Sequence, residues 1–289
     1  MRNDGQGPNA LWEVWRNNHR ERAPTAARQS GKLRALVQFA RRCSPWYRQR
    51  YHHLPASMTE LCLLPPVTKS ELMAHFDEWV TDPVVTREGM EDFLAKKSLV
   101  GQRYLDRFVV WTTSGVTGKP GIFVHDTHTL AVYSALIAVR GYRWLTPARL
   151  WGLLRGGGRY ALVAATGEHF TLTDYLERIR RFSSQAALRI RPFSVLTPLP
   201  ELVQALNLFQ PAVLVGYPSM MQLLAQEQQT CRLHIVPILV STGGECIPAG
   251  ARAQVATAFG CLVRDNYGAS EFMHLAFECE YERLHLNSD

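Results

Sequence analysis

PAVLVGYPSMMQLLAQEQQTCRLHIVPILVSTGGECIPAGARAQVATAFGCLVRDNYG, residues 211–268, is the stretch whose reading decides the fold. Its short apolar segments Pro211–Tyr217, Val236–Thr242 and Leu262–Gly268 alternate with helix-like Ser219–Gln229 and Ile247–Phe259. Strand and helix in turn predict a largely parallel sheet flanked by helices. Upstream, the strand-like Tyr160–Thr166 and the helical Pro200–Phe209 extend the pattern. Earlier still, Phe108–Ser114 and Gly121–Asp126 read as strands and 127–143 as an apolar helix. In such sheets ligands sit at the carboxyl ends of the strands, so the loops there are where function is expected.

Before about residue 105 the texture is helical. Leu11, Val14 and Trp15, then Leu33, Leu36, Val37 and Ala40, recur at three- and four-residue steps, and Pro45 interrupts them. Thr68 followed by Glu71 forms a capping-box start for another helix. The expected organisation is an N-terminal helical region, 1–105, and an α/β region, 106–289.

The 289 residues carry 32 Lys+Arg against 25 Asp+Glu, a formal charge of +7. The arginines are dispersed, and the cluster Arg178, Arg180 and Arg181 reads as a solvated helix face, so no nucleic-acid partner is expected. No apolar run approaches the roughly 18–20 residues of a membrane span, and the amino terminus does not read as a secretory signal. The six cysteines are scattered without a C-x-x-C pair, as in a thiol-containing cytoplasmic protein.

The first informative loop is Thr112-Thr113-Ser114-Gly115-Val116-Thr117-Gly118-Lys119-Pro120, between two predicted strands. Glycines let backbone N–H groups approach an anion, hydroxyls donate to its oxygens, and lysine adds a mobile positive charge, so the composition is that of a phosphate loop. A Walker A motif needs four residues between its glycines and Ser or Thr after the lysine. Here two residues and a proline stand instead, which excludes a P-loop NTPase. Gly-Tyr-Pro-Ser-Met at 216–220 lacks the spacing of a nucleophile elbow, and Gly156-Gly157-Gly158 lacks the dinucleotide fingerprint.

TTSGVTGKP resembles the nucleotide-phosphate loop of the adenylate-forming, or acyl-CoA synthetase, superfamily. STGGE, Ser241 to Glu245, is similar to its adenine-contacting segment, and DNYGASE, Asp265 to Glu271, resembles its Tyr-Gly-x-Thr/Ser-Glu signature. The three motifs stand in the family's order, each after a predicted strand. Within the superfamily, SPWYRQRY (44–51), LPPVTKSEL (64–72), VGYPSMMQLLAQE (215–227) and ECEYERLHLN (278–287) resemble the phenylacetate-CoA ligase and coenzyme F390 synthetase branch.

The resemblance implies ATP, Mg²⁺ and, as co-substrate, CoA. A carboxylic acid becomes an acyl-adenylate and is then transferred to a thiol or amine. Thr113, Ser114, Gly115, Thr117, Gly118 and Lys119 would hold the β- and γ-phosphates. Ser270 would reach the α-phosphate, and Glu271 would ligate Mg²⁺. With Lys119, these two form the expected catalytic set. Gly243, Gly244, Glu245, Tyr267 and Gly268 would surround the purine, with Asn266 or Asp265 at its edge. Tyr217 would border the acyl pocket, while Ser219 beside it could equally cap the next helix. His169 is either a pocket residue or a satisfied core histidine. His274, Cys279 and His285 could form a zinc site, though their spacing fits no standard finger.

The family's large domain normally continues to a ribose-binding aspartate, a hinge and a small domain with a catalytic lysine. None of these is recognisable after Leu-His-Leu-Asn-Ser-Asp at 284–289, so the chain reads as C-terminally truncated, with impaired adenylation and either a homodimer or a missing C-terminal domain to complete it. The alternatives are an amide or nucleotidyl ligase of the F390 synthetase type and a non-catalytic nucleotide-binding module.

Overall fold

A computed structural model of the chain describes residues 7–19, 25–55, 57–113 and 120–287. The amino-terminal helices are Gly7–Asn18, Thr25–Cys43 and Pro45–Arg50. The expected capping box is present: Glu71 N donates to Thr68 Oγ1 (3.2 Å), and Thr68 N donates to Glu71 Oε2 (2.8 Å). Each bond satisfies an amide at or near the start of helix Lys69–Ala74 that the helix itself cannot pair.

The strands, in chain order, are β1 (Val109–Thr112), β2 (Ile122–His125), β3 (Tyr160–Ala164), β4 (Ile190–Ser194), β5 (Val213–Gly216), β6 (Leu239–Gly243), β7 (Leu262–Tyr267), β8 (Ala276–Glu278) and β9 (Leu284–Leu286). Seven of them form one sheet in the order β4-β3-β5-β6-β7-β8-β9, parallel from β4 to β7 and antiparallel thereafter. The α/β reading of the sequence therefore holds. β1 and β2 pair antiparallel only with each other and form a separate two-stranded ribbon. β4 escapes the sequence pattern because Pro192 lies inside it, which is tolerated at the edge of a sheet.

Successive residues of the strand runs are apolar because β3, β5 and β6 are covered on both faces. Ala161, Val163, Leu214, Val240 and Val263 pack with Leu202, Leu206, Leu224, Val255 and Phe259 on one side. Leu162, Ala164, Val213, Val215 and Leu239 pack with Leu176 on the other. The helix after β3, Thr171–Phe182, supplies Leu176 to the second face. The helices after β4, β5 and β6, namely Leu199–Phe209, Pro218–Gln229 and Ala251–Phe259, cover the first. The connections thus change sides between β3 and β5. That reversal opens a crevice at the carboxyl ends of these two strands, where α/β sheets bind ligands.

Candidate active site

Four motif segments meet at the carboxyl ends of the parallel strands. After β5 comes Tyr217, whose hydroxyl accepts from Ala165 N just beyond β3 (3.5 Å), so the ring spans the mouth of the crevice. After β6 comes Gly244 at φ +83°, and a Cβ there would lie 3.1 Å from the Tyr217 ring, so glycine lets the ring lie against the backbone. Glu245 turns back to accept from Ser219 N (3.2 Å) at the start of helix Pro218–Gln229, where a carboxylate is favoured by the unpaired amides. Ser219 itself caps nothing there: the helix has no side-chain cap from its N-cap residue, Tyr217.

Gly243 pairs with Asn266 of β7, and a Cβ on it would meet the Asn266 carbonyl at 2.9 Å. Across the same strands Asn266 Nδ2 donates to Ser241 Oγ (2.6 Å), and Thr242 Oγ1 donates to Asp265 Oδ1 (2.7 Å). Asp265 N donates to Glu278 Oε2 (2.6 Å), and Glu278 pairs with Arg252 at 2.5 Å. Tyr267, at the end of β7, is exposed, as is Glu271 in the turn that follows. Gly268 has no room for any side chain, since a Cβ would fall 2.0 Å from the Met273 carbonyl oxygen.

Ser270 ties this turn to the end of β1. Its hydroxyl shares a hydrogen bond with Thr171 Oγ1 (2.9 Å) and reaches the carbonyl of Thr112 at 3.5 Å. Thr112 ends β1, and the next residue closes the mouth of the loop: Thr113 N donates to Gly121 O (3.1 Å) and Gly121 N donates to Thr113 Oγ1 (2.8 Å). Ser114, Gly115, Thr117, Gly118 and Lys119, the remaining loop residues singled out from the sequence, lie outside the described residues.

Two residues that sequence reasoning passed over complete the junction. His125 Nε2 donates to the carbonyl of Ser270 (2.9 Å), while Tyr133 OH donates to His125 Nδ1 (3.4 Å). A carbonyl can only accept, so the proton of the neutral imidazole is on Nε2. The only sequence signal for His125 was its place at the end of a strand beside the cap residue Asp126. Thr171, the second, opens helix Thr171–Phe182 and reads as an ordinary helix start.

His169 stands beside the same junction by its backbone, its carbonyl accepting from Thr112 N (2.9 Å). Its ring is buried against Phe93 at 5.1 Å. His169 Nδ1 lies 3.4 Å from Asp174 Oδ1, too poorly aligned for a hydrogen bond. Asp174 instead accepts from Gly101 N (2.6 Å) and Trp111 Nε1 (3.2 Å).

Among the described residues no three His, Cys, Asp or Glu side chains gather to hold a metal, so His274, Cys279 and His285 form no zinc cluster. All six cysteines are free. No helix among the described residues is long and apolar enough to cross a membrane. A cavity of about 770 Å³ beside Tyr47, Trp79 and Arg107 contains no residue of the TTSGVTGKP, STGGE or DNYGASE segments. A smaller one, about 50 Å³, opens beside Ser241 and Asn266.

Burial pushes the imidazoles of His125 and His274 down to about 4. The fold therefore keeps both neutral, while the unfolded chain takes up protons near 6.5. Stability is full above about pH 6.5 and falls between there and about 4, by on the order of 3 kcal/mol per histidine. Urea midpoints at pH 7.5 and 5 should show about 2 kcal/mol of that loss per histidine, and His274→Phe should reduce it. An unchanged slope in the variant would count against the assignment.

No family model matches the chain, and neither does any curated protein sequence. Solved structures do. 2-Hydroxyisobutyryl-CoA ligase with 2-HIB-AMP and CoA, in its thioesterification state, aligns at a TM-score of 0.56 and 21% identity, over 91% of this chain and 53% of that one. The same ligase in the postadenylation state with 2-HIB-AMP aligns at 0.54 and 20%, over 97% and 55%. The chain shares the fold of the part of 2-hydroxyisobutyryl-CoA ligase with which it aligns. It spans about half the length of the ligases it matches.

Proposed function

We propose that the chain forms the nucleotide- and acid-binding part of an adenylate-forming ligase, one that activates a carboxylic acid with ATP and passes the acyl group to the thiol of CoA. The observation that carries this reading is the contact of Ser270 with the carbonyl of Thr112, which brings the DNYGASE turn to the mouth of the phosphate loop. In the first step a carboxylate oxygen of the acid bonds to the α-phosphorus of ATP as the bond to pyrophosphate breaks. In the second the CoA sulfur bonds to the acyl carbon and AMP leaves, the thiol proton passing to solvent.

Such phosphorus chemistry rests on position and charge. Thr113, Ser114, Gly115, Thr117, Gly118 and Lys119 hold the β- and γ-phosphates, and Ser270 donates to the α-phosphate. Gly243, Gly244, Glu245, Asn266, Tyr267 and Gly268 enclose the purine, and Tyr217 and His169 border the acid. Glu271 fits a magnesium ion: its exposed carboxylate is a hard oxygen donor, and magnesium commonly takes one or two carboxylates with substrate phosphates and waters. When bound, the ion offsets charge on the departing pyrophosphate. The segments at 44–51, 64–72 and 278–287 favour the phenylacetate-CoA ligase branch, and hence an aryl acid.

ATP–pyrophosphate exchange over a panel of aryl and aliphatic carboxylates, with a thermal shift in ATP and Mg²⁺, tests the reading. Exchange is expected with at least one acid, and Ser270→Ala should lower it roughly 100-fold, the scale of losing one donor to a charge-developing oxygen. A shift without exchange would instead support a nucleotide-binding module, and neither response would refute nucleotide binding altogether.

A further inference from the structure

Ser270 has one hydroxyl proton and two neighbours on its oxygen. Thr171 Oγ1 lies 2.9 Å away and the carbonyl of Thr112 lies 3.5 Å away. Among the described residues the Thr171 hydroxyl makes no other hydrogen bond. A carbonyl can only accept, so one arrangement satisfies all three groups: Thr171 O–H donates to Ser270 Oγ, and Ser270 O–H points at Thr112 O. At 3.5 Å that second contact is near the limit of a hydrogen bond, which leaves the serine proton free to turn to a better acceptor.

Thr171 is itself held in place. It is the first residue of helix Thr171–Phe182, and two residues later Thr173 Oγ1 donates to the carbonyl of Ala165 (2.7 Å), just past β3. Asp174, fully buried, accepts from Gly101 N (2.6 Å) and Trp111 Nε1 (3.2 Å), and its own N donates to Phe170 O (2.8 Å). The main chain of Ser270 is fixed separately, by His125 Nε2 on its carbonyl. The serine's hydroxyl and backbone are thus set by two different regular elements, which aim a donor more closely than a loop does.

We infer that Thr171 is a positioning residue for the α-phosphate step: by donating to Ser270 Oγ it leaves the serine proton for the nucleotide. The inference rests on the adenylation reading, in which Ser270 donates to the α-phosphate. As charge gathers on the phosphate oxygens the proton swings from the Thr112 carbonyl to them, and the bond from Thr171 stays intact. An interaction that strengthens as charge develops acts on kcat more than on KM.

ATP–pyrophosphate exchange by the full chain, with ATP varied and phenylacetate and the other panel acids supplied in turn, tests this against Ser270→Ala. Thr171→Val keeps the shape and removes the donor. It should lower kcat roughly tenfold with KM for ATP little changed, as a misaimed group does. Thr171→Ser should restore most of the rate, and in the Ser270→Ala background Thr171→Val should cost nothing further. Thr171→Ala, well suited to a helix, replaces the valine variant if that fails to fold. Parental exchange in Thr171→Val, or a loss that persists in full without the serine hydroxyl, would overturn the inference and leave adenylation standing. A parent chain that exchanges with no acid would overturn both.

Discussion

Gly268→Ala is expected to destabilise the chain by about 3 kcal/mol or more and to abolish ATP binding, because overpacking costs 1–3 kcal/mol even where side chains can give way. Here nothing can. The added methyl would sit 2.0 Å from the carbonyl oxygen of Met273 and 2.9 Å from its carbon, both backbone atoms. The turn between them is closed by Ala269 N to Phe272 O (3.0 Å) and Phe272 N to Ala269 O (3.1 Å), so relief requires opening that turn. Ser270 and Glu271 are carried inside it. Denaturant unfolding and a thermal shift with ATP read the two effects separately, and a variant that kept parental values in both would disprove this account of the motif's glycine.

Glu278→Ala should cost about 3–5 kcal/mol, the range for breaking a buried ion pair by removing one partner. Only 2% of the Glu278 side chain is exposed, and its carboxylate serves two donors, Arg252 at 2.5 Å and Asp265 N at 2.6 Å. Its loss leaves a guanidinium that is 20% exposed with only the exposed Glu282 at 3.6 Å and the carbonyl of Val263 at 3.2 Å, and an amide in the middle of β7 without its acceptor. The double variant Glu278→Leu with Arg252→Met removes both charges and should recover most of the stability. If the double variant proved no better than the single one, the cost would lie in the Asp265 amide. Chemical denaturation of the three proteins decides between them.

What the sequence made legible follows from period and punctuation. β3, β5 and β6 announce themselves because buried parallel strands are largely apolar runs, and Thr68 and Glu71 mark a helix start by chemistry alone. β4 was hidden by Pro192, and β8 and β9 by being three residues long, too short for any period to show. That β1 and β2 stand apart from the main sheet is a matter of long-range pairing, which local pattern does not encode.

In the site, the glycines were readable because each has a backbone reason: Gly244 its positive φ, Gly243 and Gly268 a close approach. His125 was not. It acts on Ser270, 145 positions away, and a single histidine at a strand end carries no local mark of such a contact. Thr171 reaches the same serine from 99 positions away and was missed for the same reason.

The proline in β4 has one more effect. Val195 N, just past the strand, donates to Ala164 O, so by the alternation of a strand the nitrogen of residue 192 faces outward, away from β3. At that point the outer rim offers no donor to an incoming polypeptide, whereas the rim at β9 has no such gap. Among the described residues the two flanks of the sheet are therefore unequal hosts for edge-to-edge association: pairing with a further strand is obstructed beside β4 and not obstructed by the backbone of β9.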